Sequence, residues 1–284
     1  MKHNIETGKL ITCDDSSLTN DTFDQLKKKM EVSIKGGQLF TNPIISTHSL
    51  AHTVTGSYSY IGGVLNPNGD IHFSPFGTHW GQKINIYTKV SSTYSLAYTN
   101  TIGSYYMGGV LSSNGDIHFI PSCSPIGQKI SPSGVVSTYS LVYTNTSFSY
   151  AGGILSPNGD IHFSPRTAIV GQKISPSGVV STYSLIYTNS SGAYGGGVLT
   201  PNGDIHFIPY NATVGQKISI NGTVSTYSLV YTTTGAYFGG VLASNGDIYL
   251  CPCFSGGTGQ KIATLPAIPF SKSMCLSSYL NKGF

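Results

Sequence analysis

Acidic side chains are scarce in this chain. There are 11 in 284 residues, and charged residues of both signs make up only 9%. That shortage excludes a long coiled coil, which needs heptads flanked by charge. No apolar run approaches ~18 residues, so no membrane-spanning helix is expected. Cysteine is sparse and odd in number: five, at 13, 123, 251, 253 and 275. Such spacing is no disulfide framework and predicts a reducing compartment. Cys251-Pro252-Cys253 has no second pair and no nearby histidine cluster, so no metal site and no cofactor are expected. Residues 1–10 are polar and lack the apolar stretch of a secretory signal, which predicts a cytoplasmic or virion-associated protein. Gly-x-Ser-x-Gly, a phosphate loop and His-Glu-x-x-His are all missing. With a net charge of +4 and dispersed lysines, nucleic acid is not an expected partner.

What the chain does have is glycine, 35 residues, and tyrosine, 19, within a 39% hydrophobic composition. This mixture points to many short strands and tight turns rather than disorder. The phrase Gly63-Val64-Leu65-Asn66-Pro67-Asn68-Gly69-Asp70-Ile71 recurs from Gly109, Gly153, Gly197 and Gly240, at offsets of 46, 44, 44 and 43 residues. Gly-Gln-Lys-Ile starts at 81, 127, 171, 215 and 259, and a phrase close to Val-Ser-Thr-Tyr-Ser-Leu-Val-Tyr-Thr falls at 90–99, 136–144, 180–188 and 224–232. Residues 127–141 and 171–185 are identical over 15 positions. A period in the mid-forties marks propeller blades or an equivalent array.

Each unit reads as four strands. In the third, residues 151–155 form a short apolar strand, Asn158-Gly159 invites a two-residue hairpin turn, and 160–164 return with Ile161 and Phe163 on one face. A third strand covers 172–175, and 179–188 form the longest. Four antiparallel strands make one blade. The last unit stops after Ile262 without its fourth strand, while residues 45–53 carry that phrase ahead of the first unit. The expected fold is therefore all-β: a five-bladed propeller over 45–262, closed by the N-terminal strand, since closure removes exposed edges. A leader, 1–44, should carry one helix at about 21–34, with lysines 27–29 towards its C-terminal half. The apolar tail, 263–284, should lie on the ring or in a partner's groove.

The repeat looks like a β-propeller blade, and its Asn-Gly-Asp-Ile core is similar to the turn of NHL and gluconolactonase-type blades. Five blades closed by an N-terminal strand resemble the architecture of tachylectin-2-type lectins. The Trp-Asp signature of those lectins is missing, with Trp80 the sole tryptophan, so no sugar-binding residue is carried over. Nearly identical blades of this wording also look like repeat proteins of large DNA viruses.

Six acids lie in the first 31 residues. The other five, Asp70, Asp116, Asp160, Asp204 and Asp247, occur once per blade in the same turn. Lys83, Lys129, Lys173, Lys217 and Lys261 repeat likewise, so a structural ion pair in every blade is expected. Equivalent aspartates supply no pair of carboxylates in distinct environments, as a glycosidase requires. On that ground the sequence predicts no catalytic site and no enzyme. His72, His118, His162 and His206 sit one strand out from the glycine-rich strand, too far apart to share a metal. The loops vary while the frame repeats, and Tyr-rich loops on a rigid scaffold serve binding. Candidate contacts are His79, Trp80, Tyr106, Tyr150, Tyr194, Tyr210 and Tyr237. The expected function is a multivalent binding or structural module in a virion or surface assembly, with a protein partner. The alternative is a glycan-binding lectin of about five equivalent sites, and a propeller-type hydrolase ranks third.

Overall fold

Five sheets follow one plan. The computed structural model describes residues 46–52, 58–99, 105–144 and 147–264. The first blade holds β1 (Tyr60–Leu65), β2 (Asp70–Pro75), β3 (Trp80–Asn85) and β4 (Ser91–Ser95). The second holds β5 (Tyr106–Leu111), β6 (Ile117–Pro121), β7 (Ile126–Ile130) and β8 (Val136–Ser140). β9 (Tyr150–Leu155), β10 (Ile161–Pro165), β11 (Val170–Ile174) and β12 (Val180–Ser184) make the third. β13 (Tyr194–Leu199), β14 (Ile205–Pro209), β15 (Val214–Ile218) and β16 (Val224–Ser228) make the fourth. The fifth has β17 (Tyr237–Leu242), β18 (Ile248–Pro252) and β19 (Lys261–Ile262). Strands pair antiparallel in chain order, four to a sheet in the first four blades and three in the fifth. This is the all-β propeller architecture that the repeat predicts. Among the described residues no helix is long and apolar enough to cross a membrane.

By contact the chain divides into Met1–His48 and Ser49–Phe284. Of the first unit only 46–48 are described, as irregular chain. The leader helix expected at 21–34 and the tail beyond 264 lie outside the described residues.

The glycine-rich strands are innermost. β1 packs beside β5, β5 beside β9, β9 beside β13, and β13 beside β17. Each opens with a bulge: Tyr60 opposes Pro75 but Gly63 opposes Phe73, and the extra residue, Gly62, sits at φ +85. The same irregularity recurs at Gly108, Gly152, Gly196 and Gly239, where only glycine takes that backbone cheaply. Side chains from one blade then fill the next. Val64 is buried against Tyr106, Ile117 and Phe119, and Ile154 against Tyr194, Ile205 and Phe207. Val110 and Val198 repeat the contact at the remaining junctions. Each such aliphatic side chain contributes ~1.5–3 kcal/mol by leaving water.

Two details differ from the sequence reading. The hairpin turn has three residues, not two: Asn66 N–H bonds to Asp70 O at 2.9 Å and Gly69 N–H to Asn66 O at 3.1 Å. Only the glycine takes positive φ, +82, so the turn carries a glycine bulge. The fourth strand is also shorter than expected, since β12 ends at Ser184. Beyond it the chain leaves its own sheet to reach the next blade. Ile186 and Tyr187 N–H both donate to Gln216 Oε1, each at 2.9 Å. Gln128, Gln172 and Gln260 accept pairs of amides in the same way. The repeated glutamine is thus the stitch between blades.

The expected closing strand is not formed among the described residues. Residues 46–52 carry no strand, and β19 has no partner other than β18. His52 N–H nonetheless donates to Gln82 Oε1 at 2.7 Å, the same stitch at the first blade. Ile45 and Thr53 lie outside the described residues.

Candidate functional site

The repeated polar groups fold into a structural spine. Lysine Nζ meets aspartate Oδ2 in every blade: Lys83–Asp70, Lys129–Asp116 and Lys173–Asp160 at 2.6 Å, Lys217–Asp204 at 2.7 Å and Lys261–Asp247 at 2.5 Å. The aspartates lie at the hairpin turn, and the third strand brings each lysine back beside them. Burial acts to raise the Asp70 pKa, but hydrogen bonds from Lys83 and Asn85 outweigh it and hold the carboxyl below its ordinary value. Asp204 is held down likewise by Lys217 and the Ile220 amide. Such half-exposed pairs fix register more than they stabilise.

The histidines form a second layer. His72, His118, His162 and His206 are each buried opposite the repeated lysine, with the ring centroid 5.5 Å from Tyr94, Tyr139, Tyr183 or Tyr227. Burial first, and the lysine charge in support, lower these pKa values to about 4, so the rings are neutral at pH 7. Each tyrosine ring lies across the glycine of Gly-Gln-Lys-Ile. A Cβ added at Gly171 would stand 2.0–2.6 Å from Tyr183 ring carbons. Among the described residues no three His, Cys, Asp or Glu side chains converge as a metal would require.

Four of the candidate binding tyrosines are corrected to core residues. Tyr106, Tyr150, Tyr194 and Tyr237 are 0% exposed. Their hydroxyls donate to the carbonyls of Ile126, Val170, Val214 and Thr258 at 3.0–3.3 Å. They begin the inner strands just before the bulge, which turns them inward, and a buried phenol needs its internal acceptor. Trp80 and His79 remain exposed on the first blade, Trp80 with the His52 ring 6.3 Å away. Tyr210 belongs to a different constellation, one that the repeat conceals.

A hoop of backbone hydrogen bonds links the loops of successive blades. Tyr105 N–H donates to Phe76 O, Ser122 to Tyr105, Ser149 to Ser122 and Arg166 to Ser149. The series continues from Ala193 to Arg166 O, Tyr210 to Ala193, Ala236 to Tyr210 and Cys253 to Ala236, all at 2.5–3.0 Å. One member per blade follows the proline that ends the second strand, and these five are all different: Phe76, Ser122, Arg166, Tyr210 and Cys253. The hoop is therefore a constant backbone frame whose side chains change from blade to blade.

Arg166 is the sole arginine of the chain. Its Cζ lies 5.2 Å from the Phe148 ring, 5.2 Å from Tyr210 and 5.7 Å from Phe238. Nη1 approaches Met107 Sδ at 4.0 Å, and Phe76 stacks on Phe148 at 6.4 Å. These groups come from all five blades, including blades that are not neighbours, so the cluster sits where the inner strands converge. Phe76 and Met107 are buried, whereas Phe148 and Phe238 are 38% and 39% exposed. All five ion pairs among the described residues join lysine to aspartate, and none involves Arg166. Aromatic faces hold the guanidinium while its N–H edge keeps the planar fork suited to a carboxylate or phosphate. The signal available in sequence was its uniqueness: it is the only arginine and, with Lys89, one of two charges that a single blade carries without a counterpart in the others.

No known sequence family matches the chain, and no curated protein does. Solved structures share its fold. Virginiamycin B lyase from Staphylococcus aureus superposes with a TM-score of 0.60 at 16% identity, over 72% of this chain and 69% of that one. A streptogramin B lyase gives 0.60 at 17%, over 72% and 68%. A structure assigned to the gluconolactonases gives 0.50 at 15%, over 74% and 80%. None of the three is a lectin or a viral repeat protein. The expectation that this chain is not an enzyme is corrected by these neighbours: rings of this fold are found in lyases. The argument from equivalent blades fails for a physical reason too, because Arg166 makes the axial cluster asymmetric. At these identities the likeness shows one thing, that the chain has the β-propeller fold.

Proposed function

We propose that the propeller is a binding scaffold whose ligand carries a carboxylate or phosphate and sits on Arg166 at the convergence of the five blades. One observation carries the reading: the only arginine is half-buried among Phe148, Tyr210 and Phe238 with no carboxylate partner among the described residues. Apolar surroundings weaken competition from water and strengthen a charge-assisted hydrogen bond. The exposed faces of Phe148 and Phe238 suit a flat apolar body attached to the anion, so an aryl carboxylate is the favoured class. A protein partner would offer the same chemistry through a carboxylate side chain or C-terminus. The five-fold spine of ion pairs is the frame that holds the loops, and the variable hoop residues select the ligand. A sugar site and a virion role gain no observation of their own.

Calorimetric titration with benzoate and with inorganic phosphate tests this. Saturable binding is expected, weakened at least about tenfold by Arg166→Lys, which loses the planar fork, and abolished by Arg166→Ala. Absence of binding by the native protein at millimolar probe, or equal binding by Arg166→Ala, refutes the proposal.

A further inference from the structure

The two ends of the blade series are unequal to its middle, and they are the two halves of one joint. At the four internal junctions an aliphatic residue of the inner strand is covered by the following blade: Val64, Val110, Ile154 and Val198 are 7–9% exposed. Val241, the fifth of the set, is 59% exposed, and Tyr249 beside it in β18 is 48% exposed. At the other end Tyr60, Ile71 and Phe73 are only half-buried, whereas Tyr106, Ile117 and Phe119 are at most 1% exposed. Leu65 is 51% exposed. A Cβ on Gly109, Gly153, Gly197 or Gly240 would meet an aliphatic side chain of the preceding blade within 3.0 Å, but one on Gly63 would meet only its own blade.

Among the described residues the fifth sheet also has three strands where the others have four. Among the described residues nothing lies within 4 Å of a Cβ built on Gly259, where the equivalent glycines each carry a tyrosine ring. The side chain of Lys261 is 51% exposed against 33–35% for its counterparts. So the fifth blade presents an aliphatic knob, an empty aromatic slot and an unpaired strand edge among the described residues. The first blade presents the matching aromatic and aliphatic wall, preceded by the fourth-strand wording Ser49-Leu50-Ala51-His52.

From this geometry we infer that the fifth-blade end of one copy docks on the first-blade end of a second copy, reproducing the internal blade junction in trans. The four internal junctions are the template for the fit, because the same sequence positions face each other in all of them. Within one copy β17 is not packed on β1 as the internal inner strands are on one another, so the chain's own first blade does not cover Val241. An apolar face ending in an open strand edge invites an incoming strand, and the fourth-strand segment of the arriving copy supplies one. The contact is heterologous, head to tail, so it builds a closed ring of copies or a filament.

Light scattering coupled to gel filtration reads the outcome. The native chain should gain mass with concentration, at least doubling. Val241→Glu and Leu65→Glu change exposed residues at opposite ends. Each alone should remain monomeric, and the two mixed should form a one-to-one heterodimer through their intact ends. A native protein that stays monomeric throughout has closed on itself and overturns the inference. Self-association of either variant alone, or a mixture that does not pair, overturns it as well.

Discussion

Replacing the same glycine with alanine in two blades should give opposite results. At Gly171 the new methyl would stand 2.0–2.6 Å from three carbons of the Tyr183 ring, where contact requires ~3.5–4 Å. The ring must move by about 1.5 Å, and the 3.4 Å contact between its hydroxyl and His162 Nδ1 is lost. Overpacking of this kind costs ~1–3 kcal/mol, and the lost contact adds about 1 kcal/mol. At Gly259 no described residue lies within 4 Å of the new methyl. There alanine restricts the unfolded chain and should be neutral or stabilise by ~0.4–1 kcal/mol. The comparison is made by denaturant unfolding in the Val241→Glu background, which holds the protein monomeric. A Gly171→Ala variant within about 0.5 kcal/mol of its parent would show that Tyr183 does not lie across that glycine. A Gly259→Ala variant as unstable as Gly171→Ala would show the fifth slot occupied within a single copy. Spread over a chain of this size, each kcal/mol corresponds to roughly 2–4 °C in Tm.

Gln172→Leu should lower stability by about 2–5 kcal/mol, since two backbone amides of the preceding blade lose their acceptor; Gln260→Leu, whose bond to Val230 is solvent-exposed, should cost less, as denaturation midpoints will show. Stability should also fall on acidification between pH 6.5 and about 4. In that window the unfolded histidines take up protons while His72, His118, His162 and His206, with pKa values lowered to about 4, stay neutral in the fold. The expected loss is on the order of 1–3 kcal/mol per histidine, followed at lower pH by that of Asp70, Asp204 and Asp247, whose pKa values are held below the ordinary value. A His162→Gln variant should flatten the profile in the upper window only, and an unchanged profile would argue against a neutral buried ring.

The blade plan was legible because the strands repeat in wording as well as in pattern, so the inner glycines, the aspartate turn and the lysine return could be aligned without coordinates. The buried tyrosines were misassigned because sequence shows a tyrosine at the end of a variable loop, whereas in three dimensions Tyr150 is the first residue of β9 and a bulge at Gly152 turns it inward. The role of Gln216 was hidden for another reason: its partners at 186 and 187 lie in the neighbouring unit, 29–30 residues away. Arg166 was visible as a lone letter, but its aromatic neighbours come from blades that sequence distance does not bring together.

Apart from their first residues, Ile126 and Val170, the hairpins β7–β8 and β11–β12 lie within stretches of identical sequence, residues 127–141 and 171–185. For the unfolded chain, β10 thus meets two equally good third strands, and only connection length tells them apart. Pairing β10 with the wrong copy places every side chain correctly within that sheet while leaving another blade short, so such a species is compact and hard to escape. Refolding should therefore be heterogeneous, with a slow fraction that must open a complete sheet before it can rearrange. Synthesis from the N-terminus offers a way round this competition, because β6 can engage β7 before β11 has been made.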